Sequence, residues 1–318
     1  MDTTPYQESA IPFHLNQCML CPRRCGADRI AGQTGFCRST ATMRVARAAL
    51  HMWEEPCISG REGSGTVFFT GCSLRCRFCQ NAEISGIHSL PGIDVTPSGL
   101  ADLYLRLQSD GANNINLVTA GHHIIPCAES LRIAKERGLT IPVVYNSSGY
   151  ELPEALRLMD GLVDVYLPDF KFMDPDLASA YCSAADYPDI AKSALREMVR
   201  QMEKPGTEGE TFDARGIMTH GVIVRQLLLP GHVSDAKKII EYLHRTYKDR
   251  IWISMMSQYT PMKAVEKDPL LCRRVTKREY DRLVDYALSI GITKAFIQER
   301  KAAAESFIPS FNGEGVCR

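Results

Sequence analysis

No apolar run in this chain approaches the ~20 residues that a bilayer-spanning helix requires, so no such helix is expected. Excess charge of either sign is also missing: Lys+Arg and Asp+Glu both total 37. An electrostatic nucleic-acid binder normally carries a basic excess or stripe, so nucleic acid is not an expected partner. The opening stretch MDTTPYQESAIPFHLNQC has no basic region followed by an apolar one, and no secretory signal is read there. The expected compartment is the cytoplasm, where thiols stay reduced. No internal repeat is found, and the one low-complexity patch, Glu203–Gly209, reads as a polar loop.

What the chain does have is size, apolar content and cysteine. Its 318 residues, 45% hydrophobic, suffice for one large α/β domain or two ordinary ones. Of its 12 cysteines, Cys18, Cys21, Cys25 and Cys37 form one tight group, and Cys72, Cys76 and Cys79 another. Cys57, Cys127, Cys182, Cys272 and Cys317 are scattered and read as small buried hydrophobes, with Cys57 the first candidate for more. Clustered cysteines in a reducing compartment point to metal ligands rather than disulfides.

Residues 1–62 are rich in Cys, Gly and Arg, with a short strand expected at Met43–Ala48. From Thr66 onward, short apolar runs alternate with amphipathic stretches, the pattern of βα units on a parallel sheet. Strands are expected at Thr66–Thr70, Ile115–Thr119, Pro142–Asn146, Val163–Leu167, Val222–Leu228, Ile251–Met255 and Lys294–Ile297. Helices are expected near Ser98–Ser109, Ala128–Arg137, Pro153–Met159, Ile190–Gln201, Ser234–Thr246 and Lys277–Ser289, most of them closed by glycine. Too few for a full eight-stranded barrel, these units predict a partial TIM-like (β/α)6 barrel over 63–300, after a Cys-rich extension (1–62) and before a tail (301–318). In such folds chemistry sits at the carboxyl ends of the strands.

The first of those strands runs directly into Gly71-Cys-Ser-Leu-Arg-Cys-Arg-Phe-Cys79, a C-x3-C-x2-C loop. Three thiolates can bind three irons of a 4Fe–4S cubane and leave the fourth open to a ligand, whereas storage clusters normally take four cysteines. Phe78, between the last two cysteines, would shield such a cluster. A structural zinc triple is the alternative.

This loop, C-x3-C-x-aromatic-C after a first strand, resembles the signature of the radical SAM superfamily. Most of the chain resembles homologues of the pyruvate formate-lyase activating enzyme, in a branch with an N-terminal four-cysteine extension. The phrases that carry the likeness are Glu54–Gly60, Gly111–Thr119, Tyr145–Tyr150, Tyr166–Lys171 and Met256–Pro261. The resemblance implies an anaerobic oxidoreductase. Its 4Fe–4S cluster, reduced by a flavodoxin or ferredoxin, would cleave S-adenosylmethionine to a 5′-deoxyadenosyl radical that takes hydrogen from a protein or peptide, as in glycyl-radical activation. A small-molecule substrate, an inactive SAM-binding relative, and a zinc scaffold or nucleic-acid module are the competing readings.

The resemblance also assigns cofactor-binding positions. Thr119-Ala-Gly-His-His123 stands where relatives carry a Gly-Gly-Glu-like motif; the Glu is missing, leaving backbone or Thr119 to meet the SAM amine. His122 and His123 read as acid/base groups or as buried structural histidines. Asn146, Ser147, Asp169 and Lys171 follow the third and fourth strands, with Asn146 in place of an acidic residue, which leaves a monovalent cation at Asp169 in doubt. Arg225 interrupts an apolar strand and must be paired or face the barrel mouth. Ser257, Gln258, Tyr259 and Gln298 are expected in the pocket wall, Gln258 against the cofactor. The N-terminal spacing C-x2-C-x3-C-x11-C is a closed four-thiolate set, suited to structural zinc or to a second 4Fe–4S cluster.

Overall fold

The computed structural model describes residues 13–86, 90–203, 209–298 and 309–316. Most of the expected Glu203–Gly209 loop, the first residues of the tail, and Cys317 lie outside them.

In chain order the elements are β1 (Met43–His51), α1 (Pro56–Ser59), β2 (Ser64–Phe69), β3 (Ile93–Val95), α2 (Pro97–Ser109), β4 (Ile115–Val118), α3 (Ile124–Glu136), β5 (Val143–Ser147) and α4 (Pro153–Leu156). There follow β6 (Val165–Pro168), α5 (Pro175–Cys182), α6 (Tyr187–Met202), β7 (Thr211–Phe212), β8 (Met218–Leu227), α7 (Val233–Tyr247), β9 (Trp252–Met256), α8 (Lys277–Ser289) and β10 (Ala295–Ile297). The strand order is β10-β9-β8-β6-β5-β4-β2-β1-β3, with β7 hairpinned onto β8. Every pairing from β2 through β10 along that path is parallel, and helices connect successive strands. Among the described residues β10 and β3 end the path unjoined, so the sheet is an open, partial barrel, as expected.

Each expected strand and helix is present, with ends shifted by a few residues. The sequence reading did not include α5, the short α1, β3 or β7. Helix starts follow ordinary chemistry: Thr96 accepts the Gly99 amide ahead of α2, and Asp174 caps α5. Thr276 and Glu279 form a reciprocal capping box on α8.

Strand alternation sorts the barrel interior into layers. Val144, Val165, Ile223 and Met218 face inward at the bottom, where they pack on Cys57 and Ile58 of α1. One turn of the pleat higher, the inward positions become polar: Asn146 on β5, Asp169 after β6, Arg225 on β8. An apolar plug thus floors a polar cleft at the strands' carboxyl ends. The opposite faces of the strands, with Tyr145 and Tyr166 in edge contact, belong to the large core under the helices.

Residues 13–62 are stitched to this barrel. β1 pairs antiparallel with β2 on one side and with β3 on the other. Residues near the C-terminus run along β1, Gly313 donating to Ala46 O and Ala48 to Glu314 O. The N-terminal cysteine loop is tied on by arginines: Arg23 donates to Ser73 O, Cys182 O and Ser183 O, and Arg75 to Phe36 O.

Candidate active site

The turn after β2 is built for a thiolate. Gly71 takes φ 93°, and a Cβ there would sit 2.3 Å from Ser39 Oγ and 2.7 Å from Cys37 O, so only glycine fits. Arg75 adopts φ 51°, which turns the loop so that the Leu74 and Arg75 amides donate to Cys72 Sγ at 3.3 and 3.4 Å. Burial pushes the Cys72 thiol up to about 11, with Cys76 adding to the rise and the two amides opposing it. Burial drives Cys79 up as well, again helped by its two neighbours. Cys76 is held low, chiefly by a hydrogen bond from the Cys182 thiol, whose sulfur lies 3.3 Å away. Thiols so buried lose their protons readily only when a metal takes their place.

Cys72, Cys76 and Cys79 line one cleft together with Thr119, Asn146, Ser147, Asp169, Lys171, Arg225 and Gln258. Every cofactor-contact residue expected from the sequence therefore meets the cysteine triple in one place. Phe78 also lines it and is braced edge-on by Phe172, Tyr181 and Tyr259.

Opposite the thiols lies a buried ion network. Arg225 Nε donates to Asp169 Oδ1 at 2.9 Å, Nη1 to Glu54 Oε2 at 3.2 Å and Nη2 to Asn146 Oδ1 at 2.6 Å. Lys171 Nζ closes on Asp169 Oδ2 at 2.6 Å. Both Asp169 oxygens are thus engaged by the chain's own cations. Burial alone would raise the Asp169 carboxyl, but Arg225 and Lys171 overcome it and hold it below its ordinary range. Glu54 goes the other way, raised by burial against the pull of Arg225. Glu54 also accepts from Asn116 and Asn146. Arg225 and Lys171 thus face Glu54 and Asp169, and buried Glu55 lies within reach of the Arg225 charge as well.

The remaining expectations sort cleanly. Thr119 stands in the left-handed region at φ 61°, at the carboxyl end of β4. Ser147 lines the cleft, but its hydroxyl donates to Glu151 and accepts from the Gly149 amide. Gln258 is positioned by Gln298, which donates to it at 3.2 Å and accepts the Ser257 amide. Tyr259 is a core residue behind Phe78, bonded to Leu271 O. His122 and His123 lie outside the cleft lining, buried under Arg29; burial lowers His122 to about 4 and holds His123 well below its ordinary range. Of the scattered cysteines, Cys57 joins the apolar plug, Cys127 the helix-side core, and Cys272 is exposed.

Sequence reasoning missed two residues here, Glu54 and Cys182. The doubled acid Glu54-Glu55 at the end of a strand run was a usable signal, since a charge there must be exposed or paired. For Cys182 the sequence carries no signal.

Among the described residues no three His, Cys, Asp or Glu side chains are gathered into a single-ion coordination shell. A cubane makes a different demand, because each of its thiolates binds a separate iron. The convergence of three buried thiols, amide donors to sulfur and the nearby Lys171 charge fits that group.

No protein-family model matches the chain. In sequence it is similar to the uncharacterised protein MJ0674 of Methanocaldococcus jannaschii, 28% identical over 281 residues, which cover 86% of this chain and 75% of that one. In backbone arrangement it aligns with SuiB of Streptococcus suis, solved bound to the precursor peptide SuiA and bound to S-adenosylmethionine. The TM-scores are 0.46 and 0.43, at 8% and 10% identity over 73% and 72% of this chain. The chain spans about half of SuiB's length, 47% and 48% in the two alignments. With TM-scores below 0.5, these likenesses leave the chemistry to be judged from the cleft.

Proposed function

We propose that this protein is a radical SAM enzyme that takes a hydrogen atom from a protein or peptide substrate, with glycyl-radical activation as the specific form of that reaction. The observation that carries the reading is one cleft at the strands' carboxyl ends, lined both by Cys72, Cys76 and Cys79 and by Asn146, Asp169, Lys171 and Arg225. The resemblance of the cluster loop to the superfamily signature supports it further.

When bound together, a 4Fe–4S cluster on the three thiolates and S-adenosylmethionine in the cleft supply a 5′-deoxyadenosyl radical by one-electron cleavage. The chain's residues do the holding. Lys171 offers a point charge to a carboxylate. Asp169, Glu54 and the Asn146 amide oxygen offer acceptors to an ammonium group. Charges of both signs around one cleft suit a zwitterionic amino-acid moiety better than they suit a free anion or cation. Phe78 and its aromatic brace keep water from the thiolates. Trp53 lines the cleft and is 52% exposed. An exposed aromatic side chain on the cleft wall suits a polypeptide segment.

The test is anaerobic purification, iron and sulfide counting, and addition of dithionite with S-adenosylmethionine. 5′-Deoxyadenosine should form, and Cys76→Ala should abolish it. Fully iron-loaded protein that binds S-adenosylmethionine without releasing 5′-deoxyadenosine would overturn the reading. Deuterium transfer from a labelled peptide into the product, as against a labelled small metabolite, tests the substrate class.

A further inference from the structure

Arg29 is 2% exposed, yet among the described residues it has no carboxylate partner. Its guanidinium donates to Thr40 O at 3.1 and 2.6 Å and to His122 O at 2.7 Å, and it faces His123 Nδ1 at 3.3 Å. Carbonyls satisfy its hydrogens but not its charge, and both histidines beside it are held neutral by burial. A buried cation without a counter-charge is strongly unfavourable. The remaining neighbours are sulfurs: Cys18 Sγ lies 3.9 Å from Nη1, and Cys37 feels the Arg29 charge. Cys25 Sγ in turn lies 3.9 Å from Cys18 O and packs against Gly35, two residues before Cys37, so the four thiols share one neighbourhood.

We infer that Cys18, Cys21, Cys25 and Cys37 hold a dianionic tetrathiolate metal centre, with Arg29 as its buried counter-charge. No single-ion shell is gathered among the described residues, so the centre is a cubane: four thiolates around a 4Fe–4S core of charge +2 carry net charge −2 and give Arg29 what the protein side chains do not. The same arginine bonds the segment just after β4 through His122 O. Cys37 O packs against Gly71, next to Cys72, so the centre would also brace the loop of the proposed active cluster.

The proposal stands without the radical SAM reading, and its test isolates it. The Cys72→Ala/Cys76→Ala/Cys79→Ala chain is purified anaerobically, and iron, sulfide and zinc are counted per chain. Retention of about four irons with matching sulfide supports the proposal, whereas about one zinc without iron counts against it. Adding Cys18→Ala and Cys21→Ala should remove that metal. In the same background Arg29→Met should weaken retention against a competing chelator at least 10-fold, while Arg29→Lys, which keeps the charge, should lose less than 3-fold. A folded triple variant without metal overturns the proposal, as does Arg29→Met holding metal as tightly as its parent. If the triple variant does not fold, the comparison is made in the otherwise wild-type chain. There Arg29→Met must lose the same metal that Cys18→Ala/Cys21→Ala loses and keep the remainder; loss of neither, or of all the metal, counts against it.

Discussion

Replacing Arg225 by methionine removes the cation that joins Glu54 to Asp169. Its side chain is 14% exposed, and those of Glu54 and Asp169 are 9% and 18% exposed, so solvent does little to screen what is left. Asp169 keeps Lys171 as a partner, but Glu54 keeps only the amides of Asn116 and Asn146. Breaking a buried pair in this way costs about 3–5 kcal/mol. For a chain of 318 residues that corresponds to a melting-point drop of roughly 5–7 °C. The loss must depend on pH. Burial already raises the Glu54 carboxyl, and without Arg225 it rises further. A carboxyl raised in the folded state favours folding while protonated and loses that contribution as pH climbs through its folded pKa, so Arg225→Met should hurt more at pH 8 than at pH 5. The assay is thermal unfolding of protein matched for metal content, at both pH values. Adding Glu54→Gln should recover about 1–3 kcal/mol of the loss at pH 8. A drop below about 1 kcal/mol, a loss equal at both pH values, or simple additivity with Glu54→Gln would refute the reasoning.

Three further outcomes are expected. Gly71→Ala should fold but lose at least ~10-fold in iron retention, because its Cβ must displace Cys37 O, which Ser39→Gly cannot relieve; iron per chain reads this. Glu151, raised to about 7 mainly by burial, loses favourable protonation between its unfolded range near pH 4.5 and its folded pKa. Glu151→Gln should therefore match wild type near pH 4 and exceed its stability at pH 8 by on the order of 3 kcal/mol, measured by urea titration across that range. Cys182→Ala removes a thiol donor to Cys76 and should shift the cluster midpoint negative by roughly tens of millivolts; Cys182→Ser should shift it less, and an unchanged potential in both would sever Cys182 from the cluster.

The legible part of this fold was the part with local causes. Strands buried on both faces read as mostly apolar runs, and β4, β5 and β6 were found for that reason even with Asn116 and Asn146 inside them. The thiol triple is contiguous, and the polar residues of the cleft announce themselves by interrupting apolar strands at their carboxyl ends, as Arg225 does. α5 was legible but passed over: Asp174-Pro-Asp carries both its cap and its N-terminal proline. β3 and β7 are too short, at 3 and 2 residues, for periodicity to register.

What stayed hidden was the partner of each visible residue. Glu54 lies 171 positions from Arg225 and 92 from Asn146, and Cys182 lies 106 from Cys76. No window of local pattern spans such distances; only chain closure brings them together. The parallel strands put Arg225 inside the barrel, but they place only Asp169 beside it as an anion, and Lys171 already neutralises Asp169. The second anion must come from outside the βα repeat, and β1 delivers it. Pairing antiparallel to β2, β1 runs from the cleft end back to the floor, His51 lying opposite Ser64 at the start of β2; the chain then turns into the barrel ahead of the α1 plug and leaves Glu54 facing Arg225. The segment that β1 feeds into the barrel is thus part of the site's electrostatics, and shortening the chain to the βα units alone should leave Arg225 and Lys171 sharing the single carboxylate of Asp169.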